Sequence, residues 1–369
     1  MTEKTPRQLI SYIAPSAPAT RRPARGDEPF MRPEIGFTPK WYRDALDIDF
    51  DEPWHKDPAY RLSAMIRMGR ELKRRFGSIP IGGVENPDEP ADLITGTFGT
   101  SFVAAIYGVP IQYHPENWPW SKHQFLSDEQ LNRLEPPDLD SNPFFTAFLE
   151  QVEWIARETG RTEGFINWQG VLNNAYRLRG EHLLVDMLQE PTRTRHLFEC
   201  VAMTMIAGAR RLYEVQHQTG VHIQHFTVSN CLVNLVSPEL YRDLLLPFDR
   251  CIAETFGLIG VHNCAWNADH YVEHYATIPH LGYVDMGMES DLPRAKQVFP
   301  HARRAIMYTP MDVADKRSAE IRSDLEQIAR EYGPCDMVFA DIEAGTPDER
   351  VLELVKLCEE ISQKSEFTS

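Results

Sequence analysis

The sequence predicts an α/β fold: a (β/α)8 TIM barrel with an extended N-terminal arm. Two observations lead there. Short apolar runs, SIPIGGV, GVPIQY, GFINWQG, GVHIQHFTV, GLIGVHNCA, LGYVDMGM, RAIMYT and CDMVFADI, are for the most part separated by longer amphipathic stretches. Strands alternating with helices imply βα units and hence a parallel sheet. About eight such runs over roughly 300 residues suit a closed barrel; an open doubly wound sheet is the alternative.

Residues 1–60 carry nine of the 27 prolines and few apolar runs of helical length. This predicts an extended arm, ordered by Phe30, Phe37, Trp41, Tyr42 and Trp54, with the first residues to about position 25 disordered. Residues 61–369 form the barrel domain. Apolar positions at Leu62, Met65, Ile66 and Met68 make Pro58–Phe76 helical. Further helices are expected in PFFTAFLEQVEWIARETG, in the long stretch from Glu181 to Gly220 and in LYRDLLLPFDRCIAETFG. Two helix starts are explicit. In Ser237-Pro238-Glu239 the serine caps, the proline suits the first helical position and the acid faces the positive helix end. Thr346-Pro347-Asp348-Glu349 repeats the arrangement, with Glu349 completing a capping box. The helix that follows puts Val351, Leu354, Val355, Cys358 and Ile361 on one face, which makes Cys358 a core thiol.

Composition narrows the function. Lys and Arg total 38 against 54 Asp and Glu, a net charge of -16. Nucleic acid and anionic membrane surfaces need a basic face and are poor partners for such a chain. No apolar run approaches the roughly 18 residues that span a bilayer, and the N-terminus lacks a secretory signal. Neither a GxGxxG after a strand nor a P-loop occurs. The six cysteines, at 200, 231, 251, 264, 335 and 358, read as reduced thiols of a cytoplasmic protein.

One pair stands out. His262-Asn263-Cys264 follows the apolar run Leu258–Val261, near a strand's C-terminal end, which is the catalytic face of a βα barrel. Residues i and i+2 of a strand share a face, and an imidazole nitrogen with a thiolate sulfur suits zinc. A third ligand is sought at a neighbouring strand end. Cys335 begins its strand and so lies about 20 Å from the far end at 3.3 Å per residue. Asp341 and Glu343 sit at that far end and offer carboxylate oxygens. Cys231, close to another strand end, stays open. His222 and His225 point to opposite faces, and His225 is the better candidate for the cavity. Asn167, Gln169 and Asn173 follow the strand GFIN as hydrogen-bonding groups for a polar ligand. Tyr308 and Thr309 end the strand RAIMYT, Asp285 and Glu289 line the mouth, and His114, Trp118 and Trp120 form an aromatic wall.

From about Gly164 to Asp348 the chain resembles the uroporphyrinogen decarboxylase superfamily of (β/α)8 barrels. The resemblance rests on GFINWQGVLNNAYRLRGEHLLVDMLQEPTRTRHLF, VSPELYRDLLLPFDRCIAETFG, GVHNC, DMGMESDLPRAKQVFP and GTPDERV. FMRPEIGFTP is similar to the family's N-terminal Met-Arg segment at Met31, Arg32, Phe37 and Pro39.

The resemblance implies one of two chemistries. One is cofactor-free decarboxylation of porphyrinogen acetates, with Arg32 and Tyr176 as catalytic residues. In that alignment the family's second arginine falls on Gly36 and its C-terminal histidine near Ala340. The other is zinc-dependent methyl transfer between a corrinoid protein and a thiol, matched by His262 and Cys264. Its later cysteine ligand also falls near Ala340, so Asp341 or Glu343 replaces it. The favoured expectation is a zinc-dependent methyltransferase or demethylase acting on a small molecule, with a corrinoid protein or other methyl carrier as separate partner. A non-catalytic barrel that binds metal or tetrapyrrole is the third reading. Tyr308, where the family usually has Gly-Asn, predicts a smaller pocket.

Overall fold

The computed structural model describes residues 9–12, 29–79, 81–82, 86–90 and 92–364. Except for residues 9–12, the disorder expected to about position 25 lies outside the described residues. Among the described residues there are ten strands: β1 (Leu9–Tyr12), β2 (Met31–Phe37), β3 (Ile81–Gly82), β4 (Ile111–His114), β5 (Asn117–Ser121), β6 (Phe226–Ser229), β7 (Ile259–His262), β8 (Leu281–Met286), β9 (Arg303–Met307) and β10 (Cys335–Ile342). Eight of them form one sheet in the order β3-β1-β2-β10-β9-β8-β7-β6. Every ladder in it is parallel. β4 and β5 make a separate antiparallel hairpin.

On the arc between β6 and β3, Asp92 and the segment Glu163–Gly170 meet at a single isolated parallel bridge, Asp92–Glu163. That segment runs beside β6: the Phe165 ring lies 5.2 Å from that of His225, at the start of β6. Gly170 comes against the end of β6, where a Cβ would stand 2.5 Å from the Ser229 carbonyl oxygen. GFINWQG therefore occupies the place of a barrel strand without a regular ladder. The architecture is a (β/α)8 TIM barrel whose hydrogen-bonded sheet is interrupted on this arc.

Residues 31–37 are not part of an arm, because β2 pairs with both β1 and β10. The aromatics expected to order the arm do so as a packed cluster. Phe37 meets Trp41 at 4.3 Å and Phe76 at 5.5 Å between ring centroids, and Phe50 meets Trp54 at 5.1 Å. Arg75 lies 4.3 Å over the Trp41 ring and pairs with Asp348, fastening the helix Pro58–Phe76 to the last helix, Asp348–Ser362.

Three local expectations change. The stretch from Glu181 to Gly220 divides into helices His182–Gln189 and Pro191–Gln218, because the residue before a proline is driven out of the helical region. In LYRDLLLPFDRCIAETFG, Pro247 has no N–H to offer the carbonyl one turn back. That carbonyl, on Asp243, accepts from Arg195 Nη2 at 2.7 Å, and Tyr241–Leu245 widens to a π turn. Thr346 does not cap: the last helix starts at Asp348 with Pro347 before it, and Arg75 holds the Asp348 carboxylate. Ser237 does cap, accepting from Leu240 N at 3.3 Å. No helix among the described residues is long and apolar enough to cross a membrane.

Candidate metal centre at the barrel mouth

The C-terminal ends of β6 and β7 hold the site. Ser229 and His262 are register partners, and His262 is in turn level with Asp285 on β8. Cys231 and Cys264 each lie two residues beyond the last residue of their strand, so the register brings them level. One donor atom from each of Cys231, His262 and Cys264 lies within 4.8 Å of the other two. Cys264 Sγ is 2.9 Å from Cys231 Sγ and 3.0 Å from His262 Nε2.

The pair His262 and Cys264 converges by a turn rather than by strand pleat. β7 ends at His262, and Cys264 takes a left-handed backbone at φ 56° that swings its sulfur back onto the imidazole. Gln169 (φ 59°) and Asp341 (φ 58°) adopt the same unfavourable region at two other strand ends. A non-glycine residue there costs roughly 1–2 kcal/mol, and such strain collects where geometry serves a function.

Behind the triangle the histidine is fixed. Asp285 Oδ2 is 2.7 Å from His262 Nδ1 and accepts from Tyr283 Oη at 2.7 Å, while Asp285 Oδ1 accepts from Asn263 N at 2.8 Å. Nδ1 thus carries the proton toward the carboxylate, leaving Nε2 toward the thiols. Burial alone would lower the His262 pKa, but Asp285 and Cys231 raise it to about 10. The hydrogen bond donated by Cys264, together with His262, pulls the Cys231 thiol well down despite its burial. The same bond pushes Cys264 up.

The Cys231 loop is braced from both sides. Asn230 donates to Asp249 Oδ2 at 3.0 Å, where Tyr241 Oη also donates, at 2.7 Å. Leu232 N donates to Asn173 Oδ1 at 3.2 Å. Asn173 Nδ2 reaches Gln169 Oε1, and Gln169 Nε2 reaches Asn167 Oδ1. The three polar residues expected to bind a ligand are buried and form a chain that holds the loop of one thiol.

The third position of the triangle is therefore a thiol, not the expected carboxylate. Glu343 is exposed and outside the cluster. Asp341 stands close enough for its charge to act on His262 and Cys264 but outside the ligand triangle. Burial, then Glu343, raises its pKa to about 6, with nearby Trp118 and His262 acting in the opposite direction. Its Oδ1 is buried with no partner. Trp118 thus does stand at the mouth, while His114 and Trp120 stack on each other at 4.3 Å.

Several other expected residues lie elsewhere. Arg32 is the second residue of β2, at the opposite end of the barrel. It binds Asp336 through Nε (3.0 Å) and Nη2 (2.8 Å), in a cluster with Glu34 and the buried Arg303. His225 precedes β6, also away from the mouth. Tyr308 turns its hydroxyl to Asp324 Oδ2 at 2.6 Å, on the helix Ser318–Tyr332, and so does not shape the pocket. Tyr176 is half-buried against the core on the helix Val171–Arg179. Asp285, expected at the mouth, is fully buried behind His262. Cys335 and Cys358 are buried and outside the cluster.

Two thiols and one imidazole suit zinc, with Zn–S of about 2.3 Å and Zn–N of about 2.0 Å. Sulfurs on a tetrahedral zinc sit roughly 3.8 Å apart, so the triangle needs to open by less than about 1 Å. Three protein donors on a four-coordinate zinc would leave one position for another ligand.

No protein-family model and no curated protein matches the chain. Among solved structures it is similar to a methyltransferase from Methanosarcina mazei, at TM-score 0.63 and 13% identity, over 90% of this chain and 94% of that one. A B12-independent methionine synthase from Shewanella sp. W3-18-1, in complex with selenomethionine, aligns at TM-score 0.46 and 12% identity, over 92% of this chain and 99% of that one. At these identities the first likeness concerns the fold.

Proposed function

We propose that the protein is a zinc-dependent methyl-transfer enzyme of the uroporphyrinogen decarboxylase type of barrel. In this reading it moves a methyl group between a separate carrier, a corrinoid protein or another, and a small-molecule thiol. The observation that carries this reading is the triangle of Cys231, His262 and Cys264 at the barrel mouth. The fold shared with a protein described as a methyltransferase agrees with it.

A zinc ion on these three residues would supply the Lewis acidity that keeps a bound thiol deprotonated at neutral pH. The residues have distinct tasks. Asp285 and Tyr283 hold the His262 ring, and Asn173 and Asn230 hold the Cys231 loop. The thiol loses its proton to solvent, and its lone pair forms the S–CH3 bond. The bond between methyl and carrier breaks with its electron pair remaining on the carrier. In demethylation the same steps run in reverse.

The decarboxylase reading has less support, because Arg32 is tied to Asp336 at the other end of the barrel. The test is methyl transfer from methylcobalamin to a panel of small thiols by the zinc-loaded protein. Turnover that disappears in Cys264→Ser supports the reading. Full zinc loading without turnover of any methyl donor would favour a non-catalytic barrel.

A further inference from the structure

Cys231 and Cys264 lie past the point where the sheet fixes their spacing. The β6–β7 ladder ends at Ser229 and His262, and Asn230 N adds one more bond, to the His262 carbonyl at 2.7 Å. Beyond it both cysteines sit on turns. Their sulfurs are nevertheless 2.9 Å apart, and Cys264 holds a left-handed backbone.

Three buried tyrosines stand behind these turns, and each hydroxyl serves one of them. Tyr275, the last residue of the helix Val272–Tyr275, donates to Asn263 Oδ1 at 3.0 Å, between His262 and Cys264. Tyr241, which opens the π turn, donates to Asp249 Oδ2, and the same oxygen accepts from Asn230, the residue before Cys231. Tyr271 donates to the carbonyls of Val233 and Val236, at 2.9 Å and 2.6 Å, on the chain that follows Cys231. The rings pack on one another. Their centroids are 5.5 Å apart for Tyr241 and Tyr275, 5.8 Å for Tyr241 and Tyr271 and 6.2 Å for Tyr271 and Tyr275. One block of rings therefore joins the turn of Cys231 to the turn of Cys264. Phenylalanine would fill the same core without the cost of burying a hydroxyl, so the three hydroxyls are the part that packing does not explain.

We infer that Tyr241, Tyr271 and Tyr275 are positioning residues that hold the Cys231 and Cys264 sulfurs at bridging distance before any ion binds. The dithiol is built by the fold and not gathered by a metal, so a ligand that spans both sulfurs loses little freedom of the chain on binding. Zinc as that ligand rests on the methyl-transfer reading; the dithiol geometry does not.

The test is titration of the metal-free protein with phenylarsine oxide in excess 2-mercaptoethanol, beside zinc affinity by competition with a chromophoric chelator. The arsenical forms two As–S bonds, and its oxygen leaves as water with the two thiol protons; the excess monothiol suppresses adducts at single cysteines. The wild type should bind one arsenical per chain, lost in Cys231→Ser. Tyr271→Phe and Tyr275→Phe should each raise the Kd for the arsenical and for zinc about tenfold. Tyr213→Phe is the control, because it loses a comparable bond, to the His225 carbonyl at 3.1 Å before β6, away from the mouth. It should leave both constants unchanged. Urea unfolding of the same variants separates the roles, since tyrosines that only pack the core would lower stability and leave both constants alone. Unchanged constants in Tyr271→Phe and Tyr275→Phe, an equal rise in Tyr213→Phe, or a wild type that does not capture the arsenical would overturn the inference. Zinc bound by the wild type in those cases leaves the metal reading standing. The predicted arsenical losses without zinc binding would overturn the metal reading and keep the inference.

Discussion

His262 and Asp285 are joined across adjacent strands, with Nδ1 2.7 Å from a fully buried carboxylate oxygen. That contact decides which ring nitrogen is free, and leaves Nε2 facing the thiols, 3.0 Å from Cys264 Sγ. Because the two residues are level in the β7–β8 register, the carboxylate cannot move without moving the sheet.

Asp285→Asn should weaken zinc binding by about 10- to 100-fold, the range for losing the group that orients a metal-bound histidine. Competition against a chromophoric chelator measures it. Tyr283→Phe, which removes one donor to the same oxygen, should have a smaller effect in the same direction. Unchanged affinity in both would mean that Nε2 is not a ligand.

Arg32→Met should cost stability and spare the metal. The side chain is mostly buried and bridges Asp336 and Glu34, so losing it leaves carboxylates in excess, at about 1–3 kcal/mol. Urea unfolding at pH 7 should show that loss while zinc content stays at the wild-type level. A catalytic Arg32 would instead lower turnover at unchanged stability.

His55 should make the protein acid-sensitive. Burial, then the Arg61 charge, lowers its pKa from 6.5 to about 3. The unfolded chain then binds the proton more tightly than the folded one. The stability from the neutral ring is fully present above about pH 6.5 and is lost as pH falls toward 3. The full loss is on the order of 5 kcal/mol. In the fold Nδ1 accepts from Phe98 N at 2.9 Å, and an asparagine oxygen can take that place. His55→Asn should therefore flatten this part of the pH profile, read from unfolding free energies between pH 4 and 7.

Much of this was legible in the sequence where one segment sufficed. The helix Pro58–Phe76 begins and ends as its apolar spacing predicts. The convergence of His262 and Cys264 was legible because two ligand types stand two residues apart, and Cys335 was set aside by strand length. Cys231 could only be left open, because its partners are 31 and 33 residues away. Only the pairing of Ser229 with His262 makes it level with them, and a single sequence does not print register. Asp341 sits at the strand end expected of it, with a left-handed backbone, but outside the three donors that lie within 4.8 Å of one another. Gln169 and Asn173 announce a polar mouth in the sequence. That they brace the Cys231 loop depends on hydrogen bonds between distant segments. Arg32 matched a motif, but its place at the start of β2 puts it among Asp336 and Arg303 instead.

The most direct measurement is zinc content per chain, by mass spectrometry on protein purified without chelators, for the wild type, Cys231→Ser and Asp341→Asn. One zinc per chain in the wild type, lost in Cys231→Ser and kept in Asp341→Asn, is the predicted result. Zinc kept in Cys231→Ser and lost in Asp341→Asn would contradict the account, because it would make the carboxylate, not the second thiol, the third ligand.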